Sequence, residues 1–165
     1  MKPFLIFCLV FVFFAGCGQS GQSDKLKIGG PAPDFAGVDL AGKPFALAGF
    51  AGQPVIIRFW STECKFCRAD TPAFNELYEK FHDKGLEIAY INTLSNLQQV
   101  NEFVAGLRIS FPVIMDENGD IAQRYQIKLV PQTVVIDRNH TIVAAILGGV
   151  SEMEILDLLQ EDLKQ

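Results

Sequence analysis

The feature that most constrains this chain is the run Val55-Ile56-Ile57-Arg58-Phe59-Trp60, which ends four residues before the pair Cys64-Lys65-Phe66-Cys67. β-Branched and aromatic side chains at this density fit a largely buried strand, entered after the turn-like Gly52-Gln53-Pro54. Beyond the cysteines, Phe74, Leu77, Tyr78 and Phe81 recur three and four residues apart, which sets them on one face of a helix over Cys64 to His82. Two thiols thus fall at a strand-to-helix junction. Unpaired backbone N–H groups and the dipole at a helix start favour an anion, and the thiolate is the reactive form of cysteine. Cys67, three residues on, lies on the same helical side, close enough to attack a mixed disulfide on Cys64. Cys64 is therefore expected to attack and Cys67 to resolve.

The rest of the chain supplies a sheet for this junction. Gly29-Gly30-Pro31-Ala32-Pro33 is a stiff lead-in to a small hairpin around Ala41-Gly42-Lys43. Pro72 predicts a kink in the helix after the cysteines. Leu86 to Ile91 reads as a second buried strand of parallel-sheet composition, followed by a polar loop and a helix over Leu97 to Leu107. Phe111 to Met115 is extended, Asp116-Glu117-Asn118-Gly119 a turn, and Ile121 to Tyr125 a short helix. Thr133 to Ile136 and Ile142 to Leu147 form an antiparallel hairpin around Asp137-Arg138-Asn139-His140. The last helix starts at Ser151, with Glu154 completing a capping box. Strands alternating with helices, then a closing hairpin and helix, predict an α/β domain whose central mixed sheet is flanked by helices on both faces.

The N-terminus reads as an export signal over residues 1–16: Lys2 precedes an apolar run from Phe4 to Phe14, then Ala15 and Gly16. The run is too short for a membrane-spanning helix, which needs roughly 18 apolar residues. Phe14-Ala15-Gly16-Cys17 resembles a bacterial lipoprotein cleavage box, with Phe in place of the usual Leu, and marks Cys17 as a lipidation site. The alternative is a plain secretory signal in which Cys17 is incidental. Residues 17–25 are rich in Gly, Ser and Gln and read as a flexible tether, leaving residues 26–165 as one domain. Either reading places the domain outside the cytoplasm, and under the lipoprotein reading a lipid alone holds it at the membrane.

With 14 Lys+Arg against 19 Asp+Glu, nucleic acid and anionic membranes are not expected partners. Of four cysteines, Cys8 lies in the signal and Cys17 at the lipid site, so Cys64 and Cys67 remain for the folded domain. A disulfide closing so short a loop constrains the unfolded chain little, which favours a chemical purpose over a structural one. Half a zinc site is the rival reading, but His82 and His140 stand in no ligand-like spacing, so neither metal nor cofactor is expected. Both histidines read as surface residues, at a helix end and in a turn. Gly37 to Lys43 fits seven positions of a phosphate-binding loop, yet Pro44 stands where Ser or Thr must ligate Mg²⁺.

Phe59 to Pro72, read as Phe-Trp-Ser-Thr-Glu-Cys-Lys-Phe-Cys-Arg-Ala-Asp-Thr-Pro, resembles the active-site signature of the ResA/TlpA family of thiol-disulfide oxidoreductases. These belong to the thioredoxin superfamily and are redoxin or AhpC/TSA-like. Pro31-Ala32-Pro33-Asp34-Phe35 and Leu40-Ala41-Gly42-Lys43 resemble that family's N-terminal hairpin, and Val130-Pro131-Gln132-Thr133 its cis-proline loop, so the likeness runs from Gly30 to the C-terminus. The resemblance implies a thioredoxin-like fold with an N-terminal β-hairpin extension. It also implies a monomeric reductase of disulfides in exported proteins, for example apocytochrome c, recharged by a membrane thiol donor. The loop of Val130 and Pro131 would pair with a substrate segment; sequence by itself shows only that Pro131 precedes a strand.

Asp70 stands where ResA-like proteins carry a Glu that manages a cysteine proton. A partly buried Asp70 with a raised pKa would serve as base for Cys67; a solvated carboxylate favoured by the helix dipole is the equal alternative. Trp60 and Phe66 are expected to frame the cysteines with apolar surface for a partner, with core packing the alternative for Trp60. Glu63 and Phe66 depart from the family's usual Trp and Pro. Glu63 disfavours the Cys64 thiolate and Lys65 favours it, so sequence leaves the redox poise open. Two other functions are rivals for the cysteines. A thiol peroxidase on this fold wants a Thr where Ser61 stands and a Pro where Ile57 stands, and a Cu(I) carrier wants a wider cysteine spacing and a following His.

Overall fold

The structure is a computed structural model and describes residues 26–163. The expected signal, Cys17 and the tether lie outside the described residues.

The strand β3 (Val55–Trp60) is the centre of a five-stranded sheet. It pairs in parallel with β4 (Glu87–Asn92) and antiparallel with β6 (Gln132–Ile136). Beyond β4 lies β5 (Val113–Met115), parallel, and beyond β6 lies β7 (Ile142–Leu147), antiparallel, giving the order β5-β4-β3-β6-β7. Parallel strands need a crossover connection, and α1 (Lys65–Phe81) supplies it between β3 and β4. The closing hairpin of β6 and β7 is antiparallel, as the turn at Asp137 to His140 predicts.

Alternation along β3 divides the core. Ile56 and Trp60 face one side with Phe74 and Leu77 of α1, Phe103 of α2 (Leu97–Leu107) and Ile155 of α4 (Glu152–Leu158). Val55, Ile57 and Phe59 face the other, under Phe35, Phe45, Leu47 and the short α3 (Asp120–Arg124) with its flanking Tyr125. The N-terminal hairpin of β1 (Ala36–Val38) and β2 (Pro44–Ala46) closes that second face. It sits so near β5 that a Cβ on Gly37 would come within 3.0 Å of the Ile114 side chain. Phe50, Phe45, Phe35 and Tyr125 form a chain of ring contacts beneath it, with Phe35 stacked on Phe45 and edge-on to Tyr125, and the Tyr125 hydroxyl donates to the Pro33 carbonyl at 2.6 Å.

The helix α1 continues through Pro72 as one element; Pro72 and Arg68 are exposed, so the carbonyl that Pro72 leaves without a donor lies on the solvent side. Two local expectations are corrected. At Ser151 only half of the capping box forms, with the hydroxyl accepting from the Glu154 N–H; the reciprocal box belongs to Asn96 and Gln99 at the start of α2. His140 occupies its turn at a φ of 58°, but its Nε2 is enclosed and unpartnered, while His82 stays exposed and stacks on Tyr78. Among the described residues no helix is long and apolar enough to cross a membrane.

Candidate active site

Cys64 is the N-cap of α1, with extended backbone, and its Sγ accepts the Cys67 N–H at 3.0 Å. The sulfurs of Cys64 and Cys67 are joined, with Cα atoms 5.2 Å apart. The two cysteines differ in access: Cys64 is half-buried, whereas Cys67 is 1% exposed. The loop that carries Cys64 is tied to the loop after β4, since Ser95 Oγ accepts from the Thr62 N–H at 2.9 Å and Ser95 itself is held by Asn92. Glu63 and Lys65 are both exposed. A shallow pocket beside this loop is lined by Thr62, Glu63, Arg68, Gln99, Glu102 and Phe103, with the Arg68 guanidinium 4.6 Å over the Phe103 ring.

Phe66 and Trp60 part company. Phe66, between the two cysteines in sequence, is 65% exposed, whereas Trp60 is wholly buried between Tyr90 and Phe103. Packing is thus the role of Trp60, and it offers no surface to a partner. The period-2 alternation of β3 carries this signal, because Trp60 shares its face with Ile56.

The Val130–Pro131 peptide bond is cis. Pro131 is buried and its carbonyl accepts from the Gly148 N–H at 2.8 Å. The next residue, Gln132, pairs with Phe59 on one side and Leu147 on the other, which sets this loop at the same end of the sheet as the cysteines.

One turn along α1 from Cys67, Asp70 joins a charged pair that the sequence alone does not assemble. Arg58 is fully buried on β3, on the face shared with Ile56 and Trp60. Its Nη2 donates to Asp70 Oδ2 at 2.5 Å, and its Nη1 to Thr133 Oγ1 at 2.5 Å and to the Gly148 carbonyl at 3.3 Å. The guanidinium also lies 5.0 Å over the Phe74 ring. Burial lowers the Arg58 pKa, opposed by Tyr90 and Asp70. Asp70 Oδ2 further accepts the Val150 N–H at 3.2 Å, so Asp70 is neither solvated nor an isolated buried acid. A full charge inside an otherwise apolar strand run was the available signal, because such a charge requires a buried partner. Its partners lie 12 and 75 residues away.

The AhpC/TSA family pattern matches residues 28–145. The thiol-disulfide oxidoreductase ResA of Bacillus thuringiensis subsp. konkukian is 32% identical over 157 residues, covering 95% of this chain and 91% of the relative. A thiol:disulfide interchange protein from Chlorobium tepidum superposes with a TM-score of 0.75 at 26% identity, over 81% of this chain and 95% of that one. The thioredoxin domain of a Bacteroides vulgatus thiol-disulfide oxidoreductase gives 0.74 at 26% identity, over 85% and 100%. A five-stranded mixed sheet with a paired Cys-x-x-Cys at a helix N-terminus and a cis-proline at the same sheet end agrees with these likenesses. The chain belongs to the AhpC/TSA family and, within it, to the ResA-like thiol-disulfide oxidoreductases.

Proposed function

We propose that this oxidoreductase is an extracytoplasmic reductase of disulfides in exported proteins. The observation that carries the exchange chemistry is the asymmetry of the cysteines: Cys64 is reachable at the helix N-cap and Cys67 is 1% exposed. A partner sulfur reaches the first and not the second. The Cys64 thiolate attacks the partner disulfide to form a mixed disulfide. Cys67 then gives its proton to Asp70 and attacks Cys64, which releases the reduced partner. The backbone of Val130 and Pro131 pairs with the extended partner segment, and Phe66 covers its apolar side chains. A membrane thiol donor returns two electrons to the disulfide.

Residues 1–16 act as the export signal and Cys17 bears the lipid, so that the tether of residues 17–25 keeps the domain, a monomer, at the membrane face. Apocytochrome c exemplifies the substrate class.

The deciding measurement is the midpoint potential of the couple in a form beginning at Leu26, equilibrated with thiol buffers and read through Trp60, the single tryptophan. A value near about −270 mV is expected for a reductase, and one near about −120 mV reverses the direction of electron flow. Absence of any reversible two-electron couple overturns the reading.

A further inference from the structure

We propose that Arg58 is a positioning residue for the resolving step: it holds Asp70 one turn along α1 from Cys67 and offsets the carboxylate charge, so that once Asp70 has taken the proton the Arg58 cation balances the Cys67 thiolate. This rests on the proposed function, in which Cys67 resolves and Asp70 takes its proton.

Four observations support it. Asp70 follows Cys67 by three residues on α1, one turn along the same side. The Asp70 carboxylate is fixed, because Oδ2 takes both hydrogen bonds, from Arg58 and from the Val150 N–H. No hydrogen bond within the described residues reaches Oδ1, which is left to accept a proton. Arg58 is itself held by Thr133 and the Gly148 carbonyl, and its Nε–H is buried without an acceptor, so the cation is not spent on Asp70 alone.

The surroundings contain few other charges. Against Arg58, α1 presents Asp70, β4 presents the Tyr90 phenol and β6 presents only the Thr133 hydroxyl. The link from β7 to α4 presents backbone alone, at Gly148 and Val150. Burial raises the Tyr90 pKa, so this phenol stays neutral through the physiological range. Glu63, Lys65 and Arg68 around the cysteines are exposed, and solvent screens them. Arg58 and Asp70 are therefore the charges whose balance Cys67 meets.

The step balances without any further reactant. In the mixed disulfide Cys64 is bonded to the partner sulfur and Cys67 is a thiol. The Cys67 proton passes to Asp70, the new thiolate forms a bond to Cys64 Sγ, and the bond from Cys64 to the partner breaks. The partner leaves as a thiolate and takes up the proton. Two electrons have moved from the cysteine pair to the partner.

The sign of the effect follows from which charge is left alone. In Arg58→Met the carboxylate either stays charged and repels the Cys67 thiolate or binds a proton and no longer accepts one. Both slow resolution near neutrality and restore it at higher pH. In Asp70→Asn the cation stands alone and favours the thiolate, so the pH at which the second thiol deprotonates falls, although the base is gone.

The test is the midpoint potential of the full-length chain in detergent micelles against pH, with single-turnover reduction of insulin. The upper break in the potential profile, where the second thiol loses its proton, is expected to move up by about one pH unit or more in Arg58→Met and down in Asp70→Asn. Arg58→Lys is expected to return most of the shift, the double variant Arg58→Met/Asp70→Asn to lie near the parent, and single turnover in Arg58→Met to slow about tenfold near pH 7. A folded Arg58→Met with an unmoved break overturns the proposal, as does a Lys variant shifted as far as the Met variant. Should Arg58→Met not fold, an Asp70→Asn break that stays put or rises overturns it. A parent chain with no reversible couple refutes the proposed function instead, whereas a normal parent with unmoved variants refutes this inference alone.

Discussion

Arg58 has no solvent exposure and Asp70 has 11%, so each is the other's buried charge partner. Removing one member of such a pair leaves an uncompensated buried charge, which costs about 3–5 kcal/mol. Asp70→Ala is therefore expected to lower the unfolding free energy of the oxidised protein by about 3 kcal/mol or more in urea titration, and Asp70→Asn, which keeps a carbonyl acceptor for Arg58, by less. Equal losses in the two variants would mean that packing, not charge, is at stake. At the opposite end of the sheet Glu87 is 6% exposed at the start of β4, and burial raises its carboxyl pKa above the ordinary 4.5, against the pull of the Ile88 N–H and of His82. The folded state then binds this proton more tightly than the unfolded chain does. Its contribution to stability is greatest at low pH and is lost as pH rises through the raised value. Glu87→Gln, which still offers an oxygen to the Ile88 N–H, is expected to raise Tm at pH 7 and to lose that gain below about pH 4. A gain that persists at low pH would rule out titration as its cause.

Each element does its part through its ends. The α1 N-terminus presents Cys64, the α2 N-terminus anchors the loop that grips Thr62, and the turn after β7 braces both Pro131 and Arg58. That turn needs Gly148, whose φ is 99°: its N–H reaches Pro131 while its carbonyl reaches Arg58 Nη1. An L side chain rarely adopts this conformation. Gly148→Ala is expected to destabilise the fold by about 1–2 kcal/mol in thermal unfolding, even though its Cβ would meet nothing within 4 Å. An unchanged Tm would show that the turn relaxes freely. Element positions were legible in the sequence because periodicity is local: β3, α2 and β7 lie where apolar spacing places them. The Cys-x-x-Cys at a strand-to-helix junction was legible for the same reason. The contact of Arg58 with Thr133, and the closure of Gly148 over Pro131, were not, because they join residues that only the assembled sheet brings together. The cis form of Pro131 came through resemblance rather than residues, since nothing in the local sequence distinguishes it from a trans bond.

On the scale of the whole molecule, the strand directions collect apolar side chains around the disulfide. β3, β4 and β7 end at one edge of the sheet, and β6 begins there, as the pairings of Phe59 with Gln132 and of Gln132 with Leu147 establish. At that edge Phe66 (65%), Leu94 (78%), Leu97 (52%), Leu129 (64%) and Leu147 (60%) are all exposed. Five large apolar side chains left in water at the chemically active end make sense when a partner protein covers them during the mixed disulfide. Full burial of a leucine is worth about 1.5–3 kcal/mol, equivalent to roughly tenfold or more in association. Leu94→Asp and Leu97→Asp are therefore expected to lower kcat/KM for reduction of a protein disulfide by about tenfold each. The midpoint potential against small thiols is expected to hold, because neither leucine touches the cysteines' charge environment. If both variants reduce insulin and a small aromatic disulfide with the same loss, the effect is on the chemistry and this rim is not where the partner docks. A loss confined to the protein substrate assigns the rim to recognition, with the thiol chemistry held separately by Cys64, Cys67 and the pair of Arg58 and Asp70.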